Sequence, residues 1–341
     1  MPSSHPPIRH PGQVSGHASF LHRDSSLRER CLMQVGDTLA VGFGLLLRLG
    51  GAPLKRAIIA GLGALAYRVV PEKRRVARTN LDLVFGDRLS DAEKSRIVSV
   101  MFRHFARGLL DLFYDRIYWP NERVAASVNS DAKAKLDELQ DIGRGSAVVS
   151  CHLGNPEMLL RLLTEAGYDG YALYKGLHSP WFDRYVGRKR LAAGAGLIEV
   201  PSSRHRSVDG KRQKLPARSI RSEIEALWAN NSGIGFVADQ HTRTGMKINV
   251  LGVPDTPTQI GAWRYVVENR IPFLLHVAVY DETGGLTWHC SDIFRVTDQG
   301  SPDETLAHYL QQANYWFEEM VRRYPEQYFW GHRRFDRRHY E

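Results

Sequence analysis

What most constrains this chain is the texture of its second half. From about residue 145, short apolar runs of β character alternate with helical patterns. The runs are Ser146-Ala-Val-Val-Ser, Gly170-Tyr-Ala-Leu-Tyr, Gly196-Leu-Ile-Glu-Val, Gly233-Ile-Gly-Phe-Val-Ala and Ile271-Pro-Phe-Leu-Leu-His-Val-Ala-Val-Tyr. Strand-like runs separated by helices imply crossover connections, hence an α/β domain with a mixed central sheet flanked by helices. A last helix is expected over about 302–323, ending before Tyr324-Pro325. No internal repeat interrupts this order. We place the α/β core at 121–341, a membrane-associated helical region at 31–120 and a disordered tail at 1–30, which is rich in Pro, Ser, His and Arg without periodicity.

The helical region has two parts. Residues 33–70 hold two apolar stretches, 39–47 and 57–66, separated by Arg48, a Gly-Gly-Ala-Pro break and Lys55-Arg56. Neither stretch reaches the ~20 residues that span a bilayer, so two short helices lying in the interface are expected, with a buried hairpin as the alternative. Residues 72–118 read as amphipathic helix, with a capping box at Ser90-Asp-Ala-Glu. The net charge of +9 favours a negatively charged partner. Nucleic acid is the weakest of these, because no recognition motif or aromatic ladder accompanies the basic stretches. One stretch, 201–217, carries Arg204, His205, Arg206, Lys211, Arg212 and Lys214 without apolar period. It reads as a mobile basic loop, either a solvated insertion or a contact for anionic lipid or a carrier protein. Three scattered cysteines (Cys31, Cys151, Cys290) suit a reducing compartment and form no disulfide framework. No secretory signal pattern opens the sequence.

The chemistry concentrates where the first strand ends. Cys151-His152-Leu-Gly-Asn-Pro-Glu157 follows Ser146–Ser150 directly and runs into an apolar helix. His152 therefore stands at the carboxyl end of a strand, where α/β sheets build sites. Glu157, five residues on across a turn made by Gly154 and Asn155, can fold back to accept the imidazole Nδ1 hydrogen. Nε2 would then act as general base toward a hydroxyl. The competing interpretation is a core histidine beside a helix-capping glutamate. No Gly-x-Ser-x-Gly element indicates an acyl-serine, and no third ligand at a suggestive spacing indicates zinc. Asp239, ending an apolar strand, is a second local candidate, or else a turn residue bonding its own backbone.

The stretch 152–157 resembles the His-x4-Asp/Glu signature of glycerolipid acyltransferases. It is nearer to the His-x-Gly-Asn-x-Glu form of the lipid A biosynthesis (lauroyl/myristoyl) acyltransferase family. Further similar blocks come in that family's order: 75–81 with Phe85-Gly, Leu173-Tyr-Lys with Ser179–Asp183 and Arg190, Ala238-Asp239-Gln240, the 251–261 loop, and 324–335. The resemblance covers about 35–338. Pro156, Leu251 and the 201–217 addition depart from the pattern.

The resemblance implies an O-acyltransferase that moves a fatty acyl group from a thioester to a hydroxyl of a lipid A-type glycolipid. His152 and Glu157 would be its catalytic dyad. Gly154, Asn155, Lys175, Arg190, Asp239 and Gln240 would contact substrate, with no metal and no cofactor beyond the acyl carrier protein or coenzyme A thioester. It also implies an anionic membrane surface as partner and the cytoplasmic face of a bacterial inner membrane as location. A phosphatidylinositol mannoside-type acceptor, a catalytically silent lipid-binding homologue and a metal-dependent esterase are the alternatives.

Overall fold

The computed structural model describes residues 27–177, 179–200, 205–208, 211–214 and 218–341. Six helices come first: α1 (Leu27–Val69), α2 (Pro71–Phe85), α3 (Asp91–Phe113), α4 (Asp115–Tyr118), α5 (Asn121–Ala125) and α6 (Ser130–Asp141). The α/β part follows as β1 (Ser146–Ser150), α7 (Pro156–Glu165), β2 (Gly170–Tyr174), α8 (Pro180–Ala192) and β3 (Gly196–Glu199). Next come β4 (His205–Val208), β5 (Lys211–Lys214), α9 (Arg218–Ala229), β6 (Gly233–Val237), β7 (His241–Val250) and β8 (Val253–Thr258). The chain continues with α10 (Gly261–Glu268), β9 (Phe273–Tyr280), β10 (Leu286–Cys290) and α11 (Pro302–Arg323).

Six strands form one sheet in the order β10-β9-β1-β6-β2-β3. β9, β1, β6, β2 and β3 are parallel, and β10 closes one edge antiparallel to β9. Both faces of a parallel sheet must be covered, which is why these strands are continuous apolar runs. Side chains of β1 and β9 alternate between two cores. Val148, Leu274 and Ala278 pack with Met158, Leu159 and Leu162 of α7. Ala147, Val149 and Phe273 pack with Trp263 and Val266 of α10 on the other face. The chain leaves β1 toward β2 over the first face, and leaves β6 toward β9 over the second. Adjacent β1 and β6 thus send their connections in opposite directions, and a crevice opens at their carboxyl ends.

The mixed sheet flanked by helices is the architecture the apolar runs imply. The capping box also forms: the Ser90 side chain accepts from the Glu93 backbone N–H and Glu93 reaches back to the Ser90 N–H. Three points differ. The two apolar stretches of the amino-terminal region are two helical arms parted where Gly51 leaves helical geometry (φ 55°, ψ −151°), as the Gly-Gly-Ala-Pro break implies, but they follow one another with so little between that they make one long apolar element, α1, with Pro53 just beyond the kink. A proline in the first turn after a kink is tolerated because its missing N–H would have no partner there. One side of α1 packs closely: a Cβ at Gly63 would lie 2.6 Å from Arg103 Cγ, and one at Gly44 3.1 Å from the Tyr114 ring. The other side exposes Leu39, Val41, Leu45, Leu46, Leu49, Leu62 and Leu65. Gln34–Val69 is long and apolar enough to cross a membrane.

Second, the basic stretch is not simply a loop, since β4 and β5 pair antiparallel within it. Its remaining residues, with residues 1–26 of the expected tail, lie outside the described residues. The rest of that tail, from Leu27, is already helix. Third, β7, β8 and β10 had no counterpart among the apolar runs. β7 and β8 make a separate polar ribbon, and β10 sits at a sheet edge with Thr287 exposed between buried Leu286 and Trp288.

Candidate functional site

The site grows from the register of two neighbouring strands. Ser150 of β1 pairs with Val237 of β6, and the ladder continues through Ala238 N–H to the Ser150 carbonyl at 2.8 Å. Two residues past the paired position on each strand stand His152 and Asp239. Parallel strands held in register therefore deliver an imidazole and a carboxylate side by side. Asp239 accepts the His152 backbone N–H at 2.9 Å with one oxygen and lies 2.7 Å from Nδ1 with the other. This double contact fixes both the backbone and the ring, and leaves Nε2 as the nitrogen free for a substrate proton. Burial works against the imidazolium, but the Asp239 charge outweighs it and holds the His152 pKa above its ordinary value. Burial likewise opposes the Asp239 carboxylate, yet the His152 charge and bonds bring its pKa down to about 2.

This corrects the expected dyad. Glu157 does not receive the Nδ1 hydrogen; Asp239 does. Glu157 is the second residue of α7, and its carboxylate faces Arg190 in the last turn of α8. Arg190 Nε and Nη2 donate to its two oxygens at 2.9 and 2.5 Å. A planar guanidinium matches a carboxylate in this two-bond geometry, so it outcompetes the imidazole. Burial would raise the Glu157 pKa, but Arg190 keeps it below the usual value.

The turn between the two is architectural. Gly154 adopts φ +69°, and a Cβ there would come within 2.0 Å of the Ala278 carbonyl oxygen, so no other residue fits. Asn155 is buried. Its Oδ1 caps α7 by accepting from Met158 N–H at 3.2 Å, and its Nδ2 donates to the Tyr280 hydroxyl at 2.7 Å. Neither residue, expected among the substrate contacts, lines the cavity. The tightness that makes Gly154 obligatory also keeps the pair out of it.

A late segment closes the turn from above. Phe329 N–H donates to the His152 carbonyl at 2.9 Å, Gln327 O accepts from Gly154 N–H at 3.0 Å, and Leu153 bridges Tyr328. Asn80 of α2 pins this segment by donating to the carbonyls of Trp330 and His332, both at 2.7 Å. Arg334, almost wholly buried, donates to Pro257 O and Thr258 Oγ1 at 2.8 Å.

His152, Glu157, Lys175, Arg190 and Gln240 all line a cavity of about 930 Å³. Lys175 and Gln240 are exposed at it. Its inner wall is apolar. Val148, Gly235 and Ala172 are cross-strand neighbours on β1, β6 and β2, with Leu159, Leu160 and Leu163 of α7 opposite. A small recess sharing Val148, Leu160, Leu163, Ala172 and Gly235 extends this wall to Tyr168. His276 on β9 also lines the cavity; burial drives its pKa to about 3, and its Nδ1 has no hydrogen-bond partner.

The structure thus brings His152, Asp239, Glu157 and Arg190 together and puts Lys175 and Gln240 around the opening. Sequence reasoning missed the His152–Asp239 bond, although equal offsets past two strand ends were visible once those strands were neighbours. It also missed His276, which sits inside a featureless apolar run. Among the described residues no cluster of three or more His, Cys, Asp or Glu side chains is disposed to hold a metal.

A family model described as bacterial lipid A biosynthesis acyltransferase matches residues 24–337. The lipid A biosynthesis lauroyltransferase of Escherichia coli (strain K12) is 22% identical over 290 residues, covering 82% of this chain and 84% of that protein.

Proposed function

Because the chain belongs to the bacterial lipid A biosynthesis acyltransferase family and is an O-acyltransferase, we propose that it moves a fatty acyl group from a thioester of acyl carrier protein or coenzyme A to a hydroxyl of a lipid A-type glycolipid. The observation that carries this is the His152–Asp239 pair, set by β1–β6 register at the mouth of a cavity with an apolar inner wall. His152 Nε2 takes the proton of the acceptor hydroxyl as its oxygen attacks the thioester carbonyl carbon. The C–S bond then breaks, and the imidazolium returns the proton to the departing thiolate. Asp239 holds the tautomer and offsets the imidazolium charge without itself taking the proton. The Glu157–Arg190 clasp leaves the remaining N–H groups of Arg190, with Lys175, for acceptor phosphate, the carrier's phosphopantetheine or the tetrahedral oxyanion. The hydrocarbon tail lies against Val148, Gly235 and Ala172.

The membrane location, on the cytoplasmic face of the inner membrane, is supported by the exposed apolar side of α1 and the +9 net charge, which suits both anionic headgroups and an acidic carrier. The test uses the purified full chain with a radiolabelled dodecanoyl thioester of either donor and a lipid A precursor. Wild-type protein acylates the precursor and His152→Ala does not. Undiminished transfer by His152→Ala removes the mechanism, and transfer only to a phosphatidylinositol mannoside changes the acceptor.

A further inference from the structure

Away from the catalytic pair, the carboxyl group of Asp111, on α3, is fully buried, with the Arg107 Nε 3.9 Å from Oδ2. A buried carboxylate needs partners for both oxygens. One comes from α1: Lys55 Nζ lies 2.6 Å from Oδ1, held also over the Tyr118 ring at 3.7 Å. The other is the Tyr280 hydroxyl, at the carboxyl end of β9, which donates to Oδ2 at 2.7 Å. That hydroxyl oxygen in turn accepts from Asn155 Nδ2 at 2.7 Å. Asn155 is the cap of α7, midway between His152 and Glu157. The Arg107 guanidinium covers the Tyr280 ring at 3.6 Å and holds the phenol in place. Three hydrogen bonds therefore connect the arm of α1 beyond the Gly51 kink to the turn that carries both functional side chains.

We propose that Lys55, Asp111 and Tyr280 form a positioning relay through which the seating of α1 sets the geometry of the 152–157 turn and hence the rate of acyl transfer. Donation runs one way, from Asn155 to Tyr280 to Asp111, with the Lys55 ammonium on the other carboxylate oxygen, so removing the Tyr280 hydroxyl frees the Asn155 Nδ2 and removing Lys55 loosens the carboxylate that orients that hydroxyl. Without the Tyr280 contact the Asn155 amide is held through Oδ1, by the long 3.2 Å bond from Met158 N–H. Displacing reacting groups by as little as 1 Å costs on the order of a hundredfold in rate. The relay rests on His152 acting as the base of the transfer, and it makes Lys55 a positioning residue.

The experiment measures kcat and KM for a radiolabelled dodecanoyl thioester and lipid A precursor, using full chain carrying Lys55→Met, Tyr280→Phe or both. Each single change lowers kcat about tenfold with KM within about twofold, and the double variant falls no further, because the relay is cut only once. Lys55→Arg restores most of kcat. Amide hydrogen exchange in 152–158 speeds up in the same variants. Wild-type kcat in both single variants, or losses that multiply to about a hundredfold in the double, overturns the relay. If Lys55→Met does not fold, Tyr280→Phe, which deletes one oxygen, decides the matter through kcat and exchange. If wild-type protein transfers no acyl group, the function itself is wrong, and unchanged exchange in Tyr280→Phe still overturns the relay.

Discussion

Replacing Asp239 by asparagine preserves shape and removes one charge, and the outcome follows from the two bonds it makes. Asp239 now accepts from the His152 backbone N–H and from Nδ1 at once. An amide has a single acceptor oxygen. If that oxygen faces Nδ1, the amide N–H₂ confronts the backbone N–H, donor against donor. If the amide turns over, it donates to Nδ1 and forces the hydrogen onto Nε2, the nitrogen that must take the acceptor's proton. In the serine protease triad the equivalent change costs about 10⁴ in kcat for this tautomeric reason. A loss of about 10³–10⁴ is expected here, or roughly 4–5.5 kcal/mol of transition-state stabilisation.

The pH profile of Asp239→Asn moves as well. With Asp239 gone, burial is the largest remaining cause, the smaller Glu157 and Arg190 charges oppose each other, and His152 falls below its ordinary value, so the acidic limb of kcat/KM shifts to lower pH. Stability changes with the same sign logic. Asp239 sits at about 2 against an ordinary 3.8, worth about 2 kcal/mol. A depressed carboxylate gives its increment above its unfolded pKa and loses it as pH falls through the folded one, so the variant is less stable at neutral pH and indistinguishable near pH 2. Steady-state transfer measured across pH, with thermal melts, checks all three. Activity within threefold of wild type together with an unmoved acidic limb refutes the role given to Asp239.

Three further outcomes are expected. Glu157→Gln keeps one of two bonds to a partly exposed Arg190, so it costs about 1–2 kcal/mol in a denaturant titration and about tenfold in kcat/KM; a greater catalytic loss than Asp239→Asn would reinstate Glu157 as the imidazole's partner. Gly154→Ala drives a Cβ into the Ala278 carbonyl at φ +69° and costs upward of about 3 kcal/mol, read as lost soluble yield or a lower Tm. Gly235→Leu fills the space between Val148 and Ala172, where a Cβ alone meets Val148 at only 3.4 Å, so product mass spectra shift to shorter acyl chains; an unchanged distribution places the tail elsewhere.

Local signals were legible wherever one segment decides its own structure. The five parallel strands are apolar because both faces are buried, and Ser90-Asp-Ala-Glu caps α3 by bonds spanning three residues. His152 at a strand end, and the turn at Gly154, belong to the same class. What local pattern could not yield was partner choice. Glu157 is five residues from His152 and Asp239 is 87 away, so proximity along the chain favoured the wrong carboxylate until β1 and β6 were known to be neighbours. Arg190 decided the matter from a third element, by offering Glu157 two parallel bonds. β7 and β8 escaped because a ribbon outside the main sheet needs no continuous apolar run. The break at Gly51 was legible as Gly-Gly-Ala-Pro, because a glycine at positive φ and a proline two residues on end one helix and start the next within the segment itself.

The strap over His152 has a consequence for when this protein becomes chemically active. The turn is closed by Phe329, whose own place depends on Asn80 holding Trp330 and His332. Segments separated by nearly the whole folded length must meet before the imidazole is framed, and such distant contacts form late because their loops are the most costly to close. A partly folded chain can carry every helix and strand and still lack a usable base. On the proposed mechanism an immature chain would neither transfer acyl groups nor waste them on water, and catalytic competence would double as a report that folding is complete.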